Sequence, residues 1–359
     1  MHRHLSFNSV LNWFVSLARV LARQLISITD LRYHHKDWSF TKSIAMAASE
    51  IIPGVYMIRG KFADEFGFIS SYIVVSGESV LVIDPGTAGD PGDKTIELIR
   101  NLGLGSGDVV GILCTHGHPD HVGGAYRLKK KTGAPVLIGA DDALILEDPQ
   151  LFLKERMFLD VAERMTMKVD RGPLRVNYKG VEPFRKLRDG DTVNVGDITL
   201  HVIHTGGHSA GHCVFHDRAN KILFTGDEAS NFPNDPRKFY IDLSGSMAAR
   251  SSAISSMKAL DADYLLPGHD IPHLFEDVRL LLEQVGDGIT HFQDSILHHL
   301  EARDEADVEQ LVFDIRESRS IPIPQTYEFL LVTTITVVLQ GLQRAGLVRV
   351  DDRGVWTRI

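Results

Sequence analysis

Two cysteines in 359 residues are too few for a disulfide framework. Cys114 and Cys213 each sit inside an apolar run, where they read as small buried hydrophobes. A bilayer-spanning run is missing as well. Val10, Leu11, Phe14, Leu17, Ala18, Leu21, Leu25 and Ile28 keep helical spacing, but Arg19 and Arg23 interrupt the stretch. Basic charge is not in excess: 38 Lys and Arg face 47 Asp and Glu. The net charge of −9 gives no overall attraction to a polyanion and weighs against nucleic acid as a partner. What remains is an ordinary globular composition, 43% hydrophobic and 24% charged, with the cytoplasm as the expected compartment. The length suggests two domains.

Histidine is where the chain becomes distinctive. His116-Gly117-His118-Pro119-Asp120-His121 packs three imidazoles and a carboxylate into six residues after an apolar run. Residues i and i+2 of an extended segment share a face, so His116 and His118 can grip one ion together. Asp120 and His121 are adjacent and diverge, which lets one of them reach a second ion. Three further segments repeat a related design. Thr205–His212 is a glycine-rich turn after the alternation Ile198, Leu200, Val202; Leu223–Asp227 ends an apolar run in a carboxylate; Leu265–Asp270 carries His269 after Pro267-Gly268. Taken singly, His208 is an ordinary turn histidine, Asp227 an ordinary helix cap and His269 an ordinary loop residue. Short buried strands that each end in one ligand are how an α/β scaffold builds a rigid site from distant segments. His204 and His212 read as hydrogen-bonded structural residues rather than ligands.

With these motifs the chain resembles the metallo-β-lactamase superfamily, in the branch of glyoxalase II and the lactonases, over residues 50–285. The resemblance implies an α/β fold, a four-layer αβ/βα sandwich, with two divalent metal ions at the sheet edge. One ion falls on His116, His118 and His208, the other on Asp120, His121 and His269, with Asp227 bridging both. Asp84, in Leu81-Val82-Ile83-Asp84-Pro85-Gly86, matches the family's first motif and is implied to orient a ligand histidine from behind. His212 is expected in the same supporting layer. Imidazole and carboxylate without thiolate suit Zn²⁺, with Fe and Mn as alternatives. The implied reaction is hydrolysis of an ester, thioester or lactone in a small-molecule acyl substrate. The metal ions activate the attacking water and Asp120 orients it. The alternatives left open are a phosphodiesterase or ribonuclease of the same superfamily and an iron-dependent redox enzyme. Flavin-linked members of the latter kind carry glutamate where His118 stands.

Three regions are expected. Residues 1–48 form an amphipathic extension, suited to weak association with a membrane surface but not to spanning one. Residues 49–287 form the catalytic domain, with strands through Val55–Ile58, Phe68–Val75, Val80–Ile83, Val110–Cys114 and Pro135–Ile138. A second set of strands runs through Thr192–Val195, Ile198–Ile203, Cys213–His216, Ile222–Phe224 and Tyr264–Leu266. Within this domain, residues 141–188 read either as a helix pair packed on the body or as a cap whose Phe158, Met165 and Met167 line an apolar pocket. Residues 288–359 resemble a winged-helix domain: three helices, then two short strands about Asp351-Asp352-Arg353-Gly354. Eleven carboxylates against seven arginines give this part 7 − 11 = −4, the wrong sign for a phosphate-binding face. A packing role or a homodimer contact is expected instead.

Overall fold

The computed structural model describes residues 48–61, 68–88, 92–157, 176–229, 246–269, 271–319 and 328–359. The amphipathic stretch near the N-terminus, Phe158, Met165 and Met167 lie outside the described residues. One sheet contains β1 (Ala48–Ile52), β2 (Val55–Lys61), β3 (Phe68–Ser76), β4 (Ser79–Ile83), β5 (Val109–Leu113), β6 (Val136–Gly139) and β7 (Arg185–Leu187) in that spatial order. It is antiparallel from β1 to β4 and parallel from β4 to β7. The other sheet is built from β8 (Thr192–Val195), β9 (Ile198–His204), β10 (Cys213–Asp217), β11 (Ile222–Gly226) and β12 (Tyr264–Pro267). Its pairs are antiparallel except β11 with β12. The described helices are α1 (Gly92–Asn101), α2 (Pro119–Val122), α3 (Ala125–Thr132), α4 (Ala143–Glu147), α5 (Gln150–Glu155), α6 (Met247–Met257), α7 (Val278–Arg303), α8 (Val308–Arg319) and α9 (Glu328–Arg344). A hairpin of β13 (Val348–Val350) and β14 (Trp356–Arg358) follows α9.

Period-two alternation sorts the strand side chains into layers. In β4, Leu81 and Ile83 join a core with Val202, Phe215 and Phe224 of the second sheet, while Val80 and Val82 pack with Ile96, Ile99 and Leu128 of α1 and α3. On the far side, Val214, Leu223 and Leu265 of the second sheet pack with Ile254 of α6 and Leu282 of α7. Two sheets face each other and helices cover both outer faces, the α/β sandwich expected. Both faces of the central strands are buried, which is why β4, β5, β10 and β11 read as nearly continuous apolar runs. The two sheets are joined where they meet at one end: Cys213 N–H donates to the Thr115 carbonyl at 2.8 Å, and the Tyr72 hydroxyl to the Pro267 carbonyl at 2.6 Å.

The structure departs from the expected elements in four places. The sequence between the His116–His121 motif and Gly133 predicts one helix over Val122–Thr132, which the structure splits at Gly123-Gly124. A Cβ on Gly123 would lie 2.6 Å from the Pro119 carbonyl oxygen, and one on Gly124 would lie 2.5 Å from that of Pro85. This closeness seats α2 against the Asp84-Pro85-Gly86 turn, where Gly86 N–H donates to the His121 carbonyl at 3.1 Å. Ala48–Ile52, ahead of the first expected strand at Val55, is itself a strand because it pairs with β2. Residues 185–187, expected within a cap or peripheral helix pair, form β7 of the large sheet. Nearer the start of that region, Ile145, Phe152 and Met157 are buried in the core.

The fourth departure concerns the boundary expected at residue 287, which falls inside α7. This helix is continuous from Val278 to Arg303 and carries Leu282 and Leu300 in one hydrophobic core. That core also takes in Leu311, Ile315 and nearly the whole run from Phe329 to Leu339. The hairpin is fastened to the helices by a two-way backbone pairing between Ala306 and Trp356 at 3.0 and 2.8 Å. The Asp351 carboxylate closes its turn, accepting from the backbone of Arg353 and Val355 at 2.9 and 3.0 Å. A shared core is expected to unfold as one unit. Leu300 is fully buried, and Leu300→Ala is expected to lower stability by about 2–5 kcal/mol. In chemical denaturation the transition should remain single and move as a whole, whereas a second transition would mark an independent C-terminal domain.

Candidate metal centre

Every sequence-predicted site residue lies at the end where the strands deliver their C-termini. β4 leads to Asp84, β5 to His116–His121, β9 to the turn carrying His208 and His212, β11 to Asp227 and β12 to His269. The structure brings them together in three groups able to hold a cation: His116, His118 and His208; His116, His121 and Asp227; and Asp120, His121 and His269. The His118 Nδ1 lies 3.0 Å from the His208 Nε2. Asp227 lies between the groups: Oδ1 is 3.4 Å from the His121 Nε2, and Oδ2 is 3.3 Å from the His269 Nε2 and 3.6 Å from the His208 Nε2. Asp120 Oδ2 is 3.2 Å from the His269 Nε2.

What lies behind the ligands decides which nitrogen each histidine offers. Asp84 accepts from the Thr115 N–H and hydroxyl, both at 2.7 Å. Since that hydroxyl donates to Asp84, it accepts from the His116 Nδ1–H at 3.0 Å. The His121 Nδ1–H donates to Asp84 directly at 3.0 Å. One carboxylate therefore sets the tautomer of two histidines, and the Nε2 of each is left buried without a hydrogen-bond partner. A buried, unpartnered nitrogen next to converging carboxylates is what a metal position requires. His212 is arranged similarly on the other motif. Its Nε2 accepts from the Asp227 N–H at 3.2 Å, and its Nδ1 faces the Thr205 hydroxyl at 3.0 Å, which donates to Glu228 at 2.8 Å. With Nε2 occupied in this way, His212 supports the Asp227 turn.

The electrostatics separate the histidines into two sets. Burial and the crowding of imidazoles hold His116 and His208 well below the usual histidine range, and burial takes His118 down to about 4. These three favour the neutral form, the one able to bind a cation. Burial pulls on His121 and His269 too, but Asp227 and Asp120 outweigh it. His121 is lifted well above its ordinary value and His269 to about 10. Positive charge is thus favoured between Asp120 and Asp227.

Four supporting residues were missed by sequence reasoning: Thr115, Asp142, Glu228 and Arg250. Asp142, fully buried, accepts from the Gly117 N–H at 2.8 Å, from the Gly211 N–H at 2.9 Å and from the Ser209 hydroxyl. It ties the His116–His118 turn to the His208 turn, and Arg156 pairs with it at 3.2 Å. Nothing in the local sequence distinguishes Asp142 from its neighbour Asp141, since the partners are 25 and 69 residues away. Thr115 and Glu228 could have been found as polar residues flanking ligand motifs. Glycine matters at Gly268, where a Cβ would overlap the Asp227 carboxylate and sit 2.6 Å from the His121 ring.

The sequence model of the metallo-beta-lactamase superfamily matches residues 64–269, more than half of the chain. A chicken (Gallus gallus) protein named acyl-coenzyme A thioesterase MBLAC2 is 29% identical over 191 residues, covering 48% of this chain and 62% of that protein. Its human (Homo sapiens) namesake is 28% identical over 184 residues, covering 48% and 63%. An uncharacterized protein of Aquifex aeolicus is 29% identical over 152 residues, covering 42% and 60%. The chain thus spans about three fifths of the length of these curated relatives. Among solved structures, a metallo-beta-lactamase family protein from Thermus thermophilus (TTHA1429) superposes with a TM-score of 0.69 at 22% identity, covering 86% of this chain and 100% of that one. A beta-lactamase domain protein from Burkholderia ambifaria gives 0.64 at 21% identity, covering 90% and 97%. These structural likenesses speak to the fold alone.

Asp84→Ala isolates the effect of the network behind the ligands. It leaves the Thr115 N–H, the Thr115 hydroxyl and the His121 Nδ1–H without their acceptor, at about 1–3 kcal/mol for each group left buried and unsatisfied. Metal affinity measured by competition with a chelator should fall about 10–100-fold. Unchanged affinity in a folded Asp84→Ala protein would show that the network does not orient the ligands.

Proposed function

Because the chain belongs to the metallo-β-lactamase superfamily, we propose that it is a hydrolase with a dinuclear metal centre acting on an acyl carbonyl, and that the substrate is a thioester. The observation that carries this reading is the Asp227 carboxylate, with one oxygen toward His121 and the other toward both His269 and His208. His116, His118 and His208 would hold one ion; Asp120, His121 and His269 the other; Asp227 would belong to both. Asp84, Asp120 and Asp227 bring three carboxylates into a mostly buried site, a surplus of negative charge that favours divalent cations there. The nitrogen and carboxylate donors favour Zn²⁺.

Bound there, such ions supply a hydroxide near neutral pH and a Lewis acid for the carbonyl oxygen. The protein's own contribution is position. Asp120 is the most exposed of the three carboxylates, 15% against 2% for Asp84 and 11% for Asp227. It is the one most open to solvent, and in this reading it would accept a hydrogen bond from the attacking water to aim it at the carbonyl. Asp84 and Thr115 keep His116 and His121 from turning, so the site needs no rearrangement at the moment of reaction. Phe152 of α5 packs edge-to-face on His118, with centroids 5.0 Å apart, and excludes water from that side.

The thioester preference draws on the two relatives named acyl-coenzyme A thioesterases. The C-terminal helices and hairpin, winged-helix-like in order, are read as a packing or dimerisation element, since their net charge disfavours RNA. No helix among the described residues is long and apolar enough to cross a membrane, and the cytoplasm is the compartment proposed.

Purified, metal-quantified protein assayed on acyl-coenzyme A, lactone, β-lactam and bis-phosphodiester probes tests the reading. Close to two zinc ions per chain and fastest turnover of the thioester are expected. Asp227→Ala should lose both occupancies and more than about 100-fold in kcat/KM, beyond the effect of removing a supporting group. A stoichiometry fixed at one would remove the dinuclear claim. Metal-dependent RNA cleavage with a steep salt dependence would favour a nuclease instead.

A further inference from the structure

Next to the candidate centre, against the Asp227 and His208 turns, lies a second buried charge arrangement that the hydrolytic reading does not use. Arg250 projects from α6 and is 1% exposed; Glu228, next to Asp227, is fully buried. The Arg250 guanidinium donates to the Asp227 carbonyl at 2.9 Å and extends along the His208 ring, 3.5 Å from Nδ1. Glu228 Oε2 accepts from the His208 N–H at 3.2 Å and from the Thr205 hydroxyl at 2.8 Å. Its other oxygen is buried without a hydrogen-bond partner. Gly207 leaves the space, since a Cβ there would overlap Glu228 and sit 2.6 Å from the Arg250 Cα. Two ligand loops that come from different strands are thus both tied to one helix.

From this geometry we propose that Arg250 and Glu228 are positioning residues for the metal centre. Arg250 holds the turn of Asp227 and Glu228 holds the loop of His208, so together they set the spacing between the bridging carboxylate and the three-histidine position. The planar guanidinium suits the task because it offers several donors in a fixed fork, which a lysine ammonium does not. The role rests on the metal-hydrolase reading, yet it is tested by binding and spectroscopy rather than by turnover.

Two buried opposite charges can instead serve folding alone, and removing one of them is destabilising whatever their role. The informative protein is therefore the neutral double variant R250M/E228Q, studied beside R250M and R250K. Thermal unfolding of the metal-free proteins, zinc affinity by chelator competition and the visible absorption of the Co²⁺-loaded proteins are the readouts. If the pair positions ligands, R250M/E228Q recovers the thermal stability lost in R250M but still binds zinc about 10–100-fold more weakly than wild type. Its Co²⁺ spectrum changes, and R250K does not restore the affinity. If R250M/E228Q recovers stability, wild-type zinc affinity and the wild-type Co²⁺ spectrum together, the pair is structural and the proposal fails. Should the double variant not fold, R250K decides: wild-type zinc affinity and Co²⁺ spectrum there overturn the proposal. Absence of zinc binding by wild-type protein would defeat the functional reading itself.

Discussion

Carboxylates gathered in a dry interior are the constraint around which the rest of the site is built. Asp84, Asp227 and Glu228 are buried, and Asp120 is nearly so. Two like charges about 4 Å apart repel by about 4 kcal/mol even at an effective dielectric of 20. Each carboxylate is therefore met by donors or by positive charge. Asp84 takes three hydrogen bonds from Thr115 and His121, and Arg250 lowers the cost of ionising Glu228 against a burial that raises it. Asp120 and Asp227 are met mainly by His121 and His269. Their charge is what makes a cation at the centre favourable.

The sandwich makes that concentration of charge tolerable. Two sheets with apolar inner faces supply rigid strand ends, and each strand end delivers one or two polar side chains into a shared edge. The cross-sheet bonds from Cys213 to Thr115 and from Tyr72 to Pro267 fix the distance between the two halves. Two histidine–threonine–carboxylate relays, one through Thr115 to Asp84 and one through Thr205 to Glu228, lie behind opposite halves of the site. Their histidines, His116 and His212, stack with centroids 5.0 Å apart. The ligands are held from both sheets at once.

Periodicity made the strand segments of the α/β class readable in the sequence. Apolar runs such as Val80–Ile83 and Ile222–Phe224 have the length and composition of strands buried on both faces. His116–His121 is so dense that its chemistry is local. His208, Asp227 and His269 were legible only through family resemblance, because each alone is a common turn residue. The supporting layer was harder to read. Asp142 and Arg250 carry no local pattern, since what they do is meet groups brought from elsewhere in the chain.

Local chemistry is written in neighbours along the chain: the alternation that makes a strand, the glycine pair that splits α2 from α3, the i and i+2 histidines on one face. Distances across the fold are not. Whether Asp227 reaches His208 and His269 with the same oxygen, whether a domain boundary falls at residue 287 or α7 runs through it, and which nitrogen each histidine presents all depend on contacts between segments tens of residues apart. Those contacts are settled by how the two sheets and their helices pack, where sequence separation no longer measures distance.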